Sequence, residues 1–220
     1  MVDINKVRVS DLWYVIGYIA TDGSLSQNGR QIYITSKDRY HLFAIRKALF
    51  LKNRIGKKAS EIGKKKIYSY LQFGDVVFYQ YLTNIGLTPK KSLTLQPLVV
   101  NDEYFLDFLR GVIDGDGNIS TWIHRTNSHP QRCLRIYSAS PKFIHWLNDK
   151  IEEKFSVRGK LYTNKRNSKG NISYLIKFGK KAAIRILREL YYENCLSLER
   201  KFLQAQLCLQ HKSKNGKLCR

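Results

Sequence analysis

Two stretches of this chain, VIGYIATDG from Val15 to Gly23 and LRGVIDGDG from Leu109 to Gly117, read the same way: apolar residues, glycine third, Asp-Gly at the close. The apolar positions recur at helical spacing and each run stops at Asp-Gly, which predicts two helices that end on Asp22 and Asp116. A helix C-terminus carries partial negative charge, so an exposed acid there costs roughly 0.3–1 kcal/mol. Gly17 and Gly111 sit inside these helices, each at a cost of about 0.5–1 kcal/mol relative to alanine. A matched cost implies a matched benefit. Gly17 with Thr21, and Gly111 with Gly115, form stripes of small residues along one side of each helix. Two such stripes can pack backbone against backbone, and in a parallel pair they deliver Asp22 and Asp116 side by side. Two carboxylates about 5 Å apart at an effective dielectric near 20 repel by roughly 3 kcal/mol, which a divalent cation would offset.

These residues resemble the motif that names the LAGLIDADG homing endonuclease family. Val15, Gly17, Ile19, Asp22 and Gly23 fall on motif positions in the first copy, and Leu109, Gly111, Ile113, Asp114, Asp116 and Gly117 in the second. Ile16 and Arg110 replace the small second residue, Tyr18 the fourth, and Ala20 the sixth-position acid that Asp114 keeps. Arg110 is expected to loosen the helix interface or to point outward. Asp114, two residues before Asp116, faces elsewhere and reads as structural.

Searching past the motifs shows that the whole chain is duplicated. After the first motif come a polar stretch, strand-like residues 32–37 and an amphipathic helix over 38–50. After the second come strand-like 134–140 and a helix over 141–155. Alternating basic segments follow at 54–63 and 65–75 in one half and at 157–166 and 171–180 in the other, where LQFG and LIKFG align. Helices over 76–86 and 181–195 close the halves. Strands with helices set apart predict an α+β protein whose antiparallel sheets are covered on one face. The resemblance implies two pseudo-symmetric αββαββα halves, sheets forming a DNA-binding saddle, and motif helices packed at the interface. Expected boundaries are an N-terminal half at 1–95, a linker at 96–103, a C-terminal half at 104–210 and a basic tail at 211–220, with Asn101 or Asp102 capping the second motif helix.

The partner follows from charge. With 39 Lys plus Arg against 17 Asp plus Glu, the formal charge is +22, which attracts polyanions. No apolar run approaches a membrane span and the first residues lack a signal peptide's apolar segment, so an intracellular protein is expected, of an organelle (mitochondrion or chloroplast) or a prokaryotic cytoplasm, with no membrane partner. Cys133, Cys195, Cys208 and Cys219 show no C-x-x-C pair and read as free thiols, and the five histidines show no paired metal spacing.

Alternation in 67–73 puts Ile67, Ser69, Leu71 and Phe73 on one face and Tyr68, Tyr70 and Gln72 on the other, and in the second half sets Leu175 against Tyr174 and Lys177. Candidate DNA-contacting residues are Ser26, Gln27, Asn28, Arg30, Gln31, Tyr33, Thr35, Tyr68, Tyr70 and Gln72, then Ser120, Trp122, His124, Arg125, Asn127, Arg132, Arg135, Tyr162, Asn164, Arg166 and Lys177. Arg to guanine and Asn or Gln to adenine are the common major-groove pairs. Lys57, Lys58, Lys64, Lys65 and Lys66 read as phosphate contacts. The set carries the argument, not any one member.

The resemblance implies metal-dependent hydrolysis of one phosphodiester per strand of a long double-stranded DNA site, across the minor groove and leaving short 3′ overhangs. Asp22 and Asp116, with the carbonyl oxygens of Thr21 and Gly115, would hold Mg2+; Mn2+ is expected to substitute and Ca2+ to support binding without cleavage. Lys91 and Lys201 take the role of the cation beside the scissile phosphate, with Lys90 and Arg200 as substitutes. One chain with both motifs is expected to act as a monomer. The alternatives are a maturase that binds intron RNA and a non-cleaving DNA-binding regulator of the same fold.

Overall fold

The computed structural model describes residues 2–59, 67–123, 125–126, 130–164, 170 and 172–210. The first seven elements are α1 (Val9–Asp22), β1 (Gly23–Leu25), β2 (Gln31–Ser36), α2 (Arg39–Ala48), β3 (Ile55–Ala59), β4 (Ile67–Gly74) and α3 (Val76–Ile85). The same order repeats as α4 (Phe105–Asp116), β5 (Gly117–Ile123), β6 (Pro130–Ser138), α5 (Pro141–Phe155), β7 (Lys160–Thr163), β8 (Tyr174–Phe178) and α6 (Lys180–Leu190), with α7 (Glu199–Leu209) added at the end.

Local chemistry sets the ends of these helices. The Asp75 carboxylate caps α3 by accepting from the Phe78 amide at 3.0 Å, and Gly86, at φ 109°, lets the chain turn left-handed out of it. Ser140 caps α5 by accepting from Phe143, with Pro141 in the first turn. Asn101 caps a short 3-10 turn over Asp102–Tyr104 that leads into α4, which therefore begins a few residues later than its cap predicts.

The strands form two four-stranded antiparallel sheets, ordered β1-β2-β4-β3 and β5-β6-β8-β7. Their registers are superimposable. Gly23, directly after Asp22, pairs with Ile34, which pairs with Leu71. Gly117, directly after Asp116, pairs with Ile136, which pairs with Ile176. Ile32, Ile34, Leu71 and Phe73 in one sheet, and Leu134, Ile136, Ile176 and Phe178 in the other, point into a core shared with the helices. The opposite faces stay open and polar.

Several expectations need correction. Ile67 lies on the predicted inward face but at the strand end, where it is 65% exposed. Leu175 shares the open face with Lys177, because Ile176 and Phe178 are the buried members of β8. Strand β1 runs into what reads as a polar stretch after the first motif, and β5 has no counterpart in the sequence reading. The helix expected over 181–195 stops at Leu190, where Tyr191 turns away to reach Asp114. Helix α7 has no counterpart in the sequence reading.

Arg110 neither loosens the interface nor points outward. It is fully buried, paired with Asp107 at 2.6 Å and donating to the carbonyls of Leu190 (3.0 Å) and Leu196 (2.9 Å). A guanidinium with its donors satisfied in this way is tolerated inside, because the cost of burying charge falls mainly on unpaired groups.

Candidate active site and nucleic-acid interface

Helices α1 and α4 touch through backbone. A Cβ added at Gly17 would lie 2.0 Å from the Phe108 carbonyl oxygen, one at Gly111 2.1 Å from the Tyr14 carbonyl oxygen, and one at Gly115 1.9 Å from Thr21 Oγ1. Residue numbers rise together along both helices across these contacts, so the pair runs parallel. The glycines therefore do what their cost implies, and both helices end at the same side of the molecule.

There Asp22 and Asp116 share one electrostatic environment with two lysines. Burial pushes the Asp116 carboxyl up to about 6, the negative charge of Asp22 adds to the rise, and Lys201 and Lys91 oppose it. Burial also raises Asp22, against a hydrogen bond from Tyr18 and the charges of Lys201, Lys91 and Arg200. Both ammonium groups are drawn down to about 8 by burial, with Asp116 and Asp22 holding up Lys91 and with Asp114, Asp22 and Asp116 holding up Lys201.

Each lysine comes from its own element. Lys91 opens a 3-10 turn after α3 and donates to the Gly23 carbonyl. Lys201, in the first turn of α7, donates to the carbonyls of Ile113 (2.6 Å), Asp114 (2.7 Å) and Gly115 (3.3 Å). Both sit against the C-terminal ends of the acid-bearing helices, where a cation offsets the partial negative charge. Their neighbours are placed differently: Lys90 is exposed, and Arg200, whose charge also reaches Asp22, is paired with Asp38 at 3.0 Å.

The sequence model of the LAGLIDADG-like domain family matches residues 103–191, around the second of these helices. By shape the chain resembles the homing endonuclease I-DmoI solved with DNA and calcium (TM-score 0.57, 16% identity, 89% of this chain and 97% of that one). It also resembles the LAGLIDADG homing endonuclease I-GzeII with its DNA target (0.55, 10%, 89% of each). Full-length DUF199/WhiA from Thermotoga maritima matches as well (0.56, 14%), over 96% of this chain but only 64% of that longer one. The chain has the LAGLIDADG fold. No curated protein sequence matches it significantly.

On the LAGLIDADG sheets, the residues beside the motif acids can now be placed. Thr35 donates to the Asp22 carbonyl at 3.3 Å, so it stands next to the acid. Tyr33, Tyr68, Tyr70 and Gln72 lie on the open face of the first sheet, and Gln72 donates to Gln31 at 2.7 Å. Ser26, Gln27, Asn28 and Arg30 form the β1–β2 turn at the edge of that face, where Ser26 bonds Asn28 and Gln31. Ser120, Trp122, Arg135, Tyr162 and Lys177 share the open face of the second sheet. Asn164 is turned back onto Ser173, and Arg125 lies exposed in the turn after β5. His124, Asn127 and Arg166, like Lys64, Lys65 and Lys66, lie outside the described residues.

Arg132 belongs to the other side. Its alternation with Leu134 and Ile136 buries it beneath α7, where it donates to the Gln210 carbonyl at 2.7 Å and caps that helix, so it is withdrawn as a base-reading candidate. Sequence reasoning also missed Ser24, Asn118, Tyr137 and Lys160, which complete the two open faces. The signal was available: alternation continued outward from Asp22 and Asp116 through the strand pairing would have found each.

Asp114 is the hub of the network behind the site. Fully buried, it accepts from the hydroxyls of Tyr14 (2.7 Å) and Tyr191 (2.6 Å) and from the Leu198 amide (2.6 Å). Those three partners come from α1, the end of α6 and the residue preceding α7, so one carboxylate fixes the approach of the segment that carries Lys201.

The donors near the acids are all oxygen: two carboxylates and the carbonyls of Thr21 and Gly115. That set, at the adjacent ends of two parallel helices, suits a hard cation such as magnesium, manganese or calcium. No group of three or more His, Cys, Asp or Glu side chains gathers here or elsewhere among the described residues. A cation here would rely on the two acids, backbone oxygens and water.

Proposed function

We propose that this protein is a site-specific, divalent-metal-dependent DNA endonuclease that cuts both strands of a long target, acting as a monomer through residues 1–95 and 104–210 as its two halves, joined at 96–103. The observation that carries the reading is the meeting of Asp22 and Asp116 at one end of a parallel helix pair, each half also contributing a buried lysine. Homing endonucleases of this fold bound to target DNA, one of them with calcium, support it.

Hydrolysis of a phosphodiester needs a water oxygen in line with the departing oxygen and positive charge where negative charge grows. A divalent cation, when bound, supplies water activation and charge neutralisation at the leaving oxygen. Asp22, Asp116 and the carbonyls of Thr21 and Gly115 would hold it. Lys91 and Lys201, one per half, place an ammonium beside each scissile phosphate, and the open sheets fix the duplex in register.

A second reading has its own support. Both lysines spend their hydrogen bonds on backbone carbonyls, and the likeness extends to WhiA as well as to endonucleases, as it would for a DNA-binding protein that keeps the fold without cutting. Cleavage selection on a randomised duplex library with magnesium separates the two. Selected DNA should be cut on both strands by the wild type, and Asp22→Asn or Asp116→Asn should abolish cutting while binding in calcium persists. Full cutting by either variant overturns the nuclease reading.

A further inference from the structure

The two sheets share a register but not a chemistry, and the difference falls on the row of open-face residues one step outward from the motif acids. In the first sheet that row is Ser24, Tyr33 and Gln72; in the second it is Asn118, Arg135 and Lys177. At the sheet edge the row ends in a cation in both halves, Arg54 just before β3 and Lys160 in β7. Edge cations suit phosphates, which carry no sequence information. At the inner position Arg135 stands against Tyr33, and a base edge would lie over that one.

Arg135 is built to point. Its Nη1 donates to Asn118 Oδ1 at 3.2 Å and to Ser120 Oγ at 3.1 Å, both on the neighbouring strand. That brace orients the guanidinium, and among the described residues Nη2 and Nε have no partner and no carboxylate pairs with it. Lys177, its neighbour across β8, has no such brace and is exposed. In the first sheet the equivalent of Arg135 is Tyr33, beside a Gln72 whose amide is oriented by Gln31 at 2.7 Å.

We infer that Arg135 is the base-specificity residue of the C-terminal half-site, held by Asn118 and Ser120 to take one guanine through its O6 and N7, and that the N-terminal half-site has no guanine requirement at the matching position. A planar fork fixed on one side matches guanine in the major groove, whereas a braced glutamine amide matches adenine. The target is therefore chemically lopsided close to the cut. This inference rests on the proposed DNA-facing role of the sheets, but not on cleavage.

The test is selection of a randomised duplex library for binding in calcium, by wild-type protein and by Arg135→Ala, Arg135→Lys and Lys177→Ala. The wild type should enrich guanine at one inner position of one half-site only. Arg135→Ala and Arg135→Lys should both erase that preference, by about tenfold or more in discrimination. Lys177→Ala should weaken binding evenly while keeping it. Grafting the row through Tyr33→Arg with Ser24→Asn should add a guanine preference in the other half-site. Even weakening by Arg135→Ala, with the base preference intact, makes Arg135 a phosphate contact and overturns the inference while leaving DNA recognition standing. A wild type that enriches no sequence overturns both.

Discussion

At the scale of single residues, the glycines at the helix crossing decide whether the acids meet. Alanine at Gly17 or Gly111 would set a methyl about 2 Å from a carbonyl oxygen of the facing helix, and backbone cannot move aside as a flexible side chain does. Each substitution should cost about 3 kcal/mol, at the upper end of ordinary overpacking, read as a loss in denaturation midpoint. Gly29→Ala is the control for space, since nothing lies near its Cβ, although its φ of +75° adds local strain. The acids and these glycines were legible because a repeated motif states its cost locally. Arg110 and Arg132 were not: a charged residue in a sequence reads as exposed, and the carbonyls to which these two donate lie 78 to 86 residues away along the chain. His41 carries a prediction of the same kind. Tyr14 gives its proton to Asp114, so His41, 3.1 Å from the tyrosine oxygen, supplies Nε2–H as a neutral ring, and burial draws it down to about 4. A folded pKa below the unfolded value near 6.5 means that this stability is complete above pH 6.5 and is lost as pH falls toward 4. Denaturant titrations at pH 7 and 4.5 should show wild type losing about 2–3 kcal/mol more than His41→Gln.

At the scale of elements, most helices and the central strands of each sheet announce themselves by period, and the boundaries of α5 coincide with its predicted span, 141–155. Helix α7 does not, for a physical reason. Its buried residues are Lys201, Ala205 and Cys208, a narrow stripe led by a lysine, while Leu203 and Leu207 face outward. What orders it is the grip of Lys201 on the end of α4 and of Arg132 on its own last turn, neither of which is written in its own pattern. That makes α7 a device for one half only, because Lys91 reaches the other site from a short turn. Removing one ammonium should therefore affect one strand more than the other. With a supercoiled plasmid bearing the selected site, Lys201→Met should accumulate nicked circles before linear product, Lys91→Met should do the same on the opposite strand, and the double variant should cut neither at a measurable rate. Equal slowing of both strands by Lys201→Met would show that the two lysines serve a single shared centre.

At the scale of the whole molecule, the excess of positive charge is larger than one pair of acidic sites needs. A formal +22 spread over 220 residues repels itself, and a folded chain keeps such an excess most readily where a polyanion relieves it. The open sheets display part of it in an ordered way: Lys160, Lys177 and Arg135 on the second sheet, with Arg54 and Arg30 at the rim of the first. On the proposed function, two sheets of this kind side by side along a duplex would engage phosphates on both flanks of the cut. Each phosphate neutralised contributes a slope of about −0.9 to log K against log salt, so contact with about six gives a slope near −5. Binding to the selected duplex in calcium, measured between 50 and 300 mM potassium chloride, should follow that line, and Lys160→Gln with Lys177→Gln should flatten it by about 2 units without altering which sequence is chosen. A slope near zero would mean that the charge answers to some other partner, and with it the alignment of both acids beneath a duplex would lose its electrostatic cause.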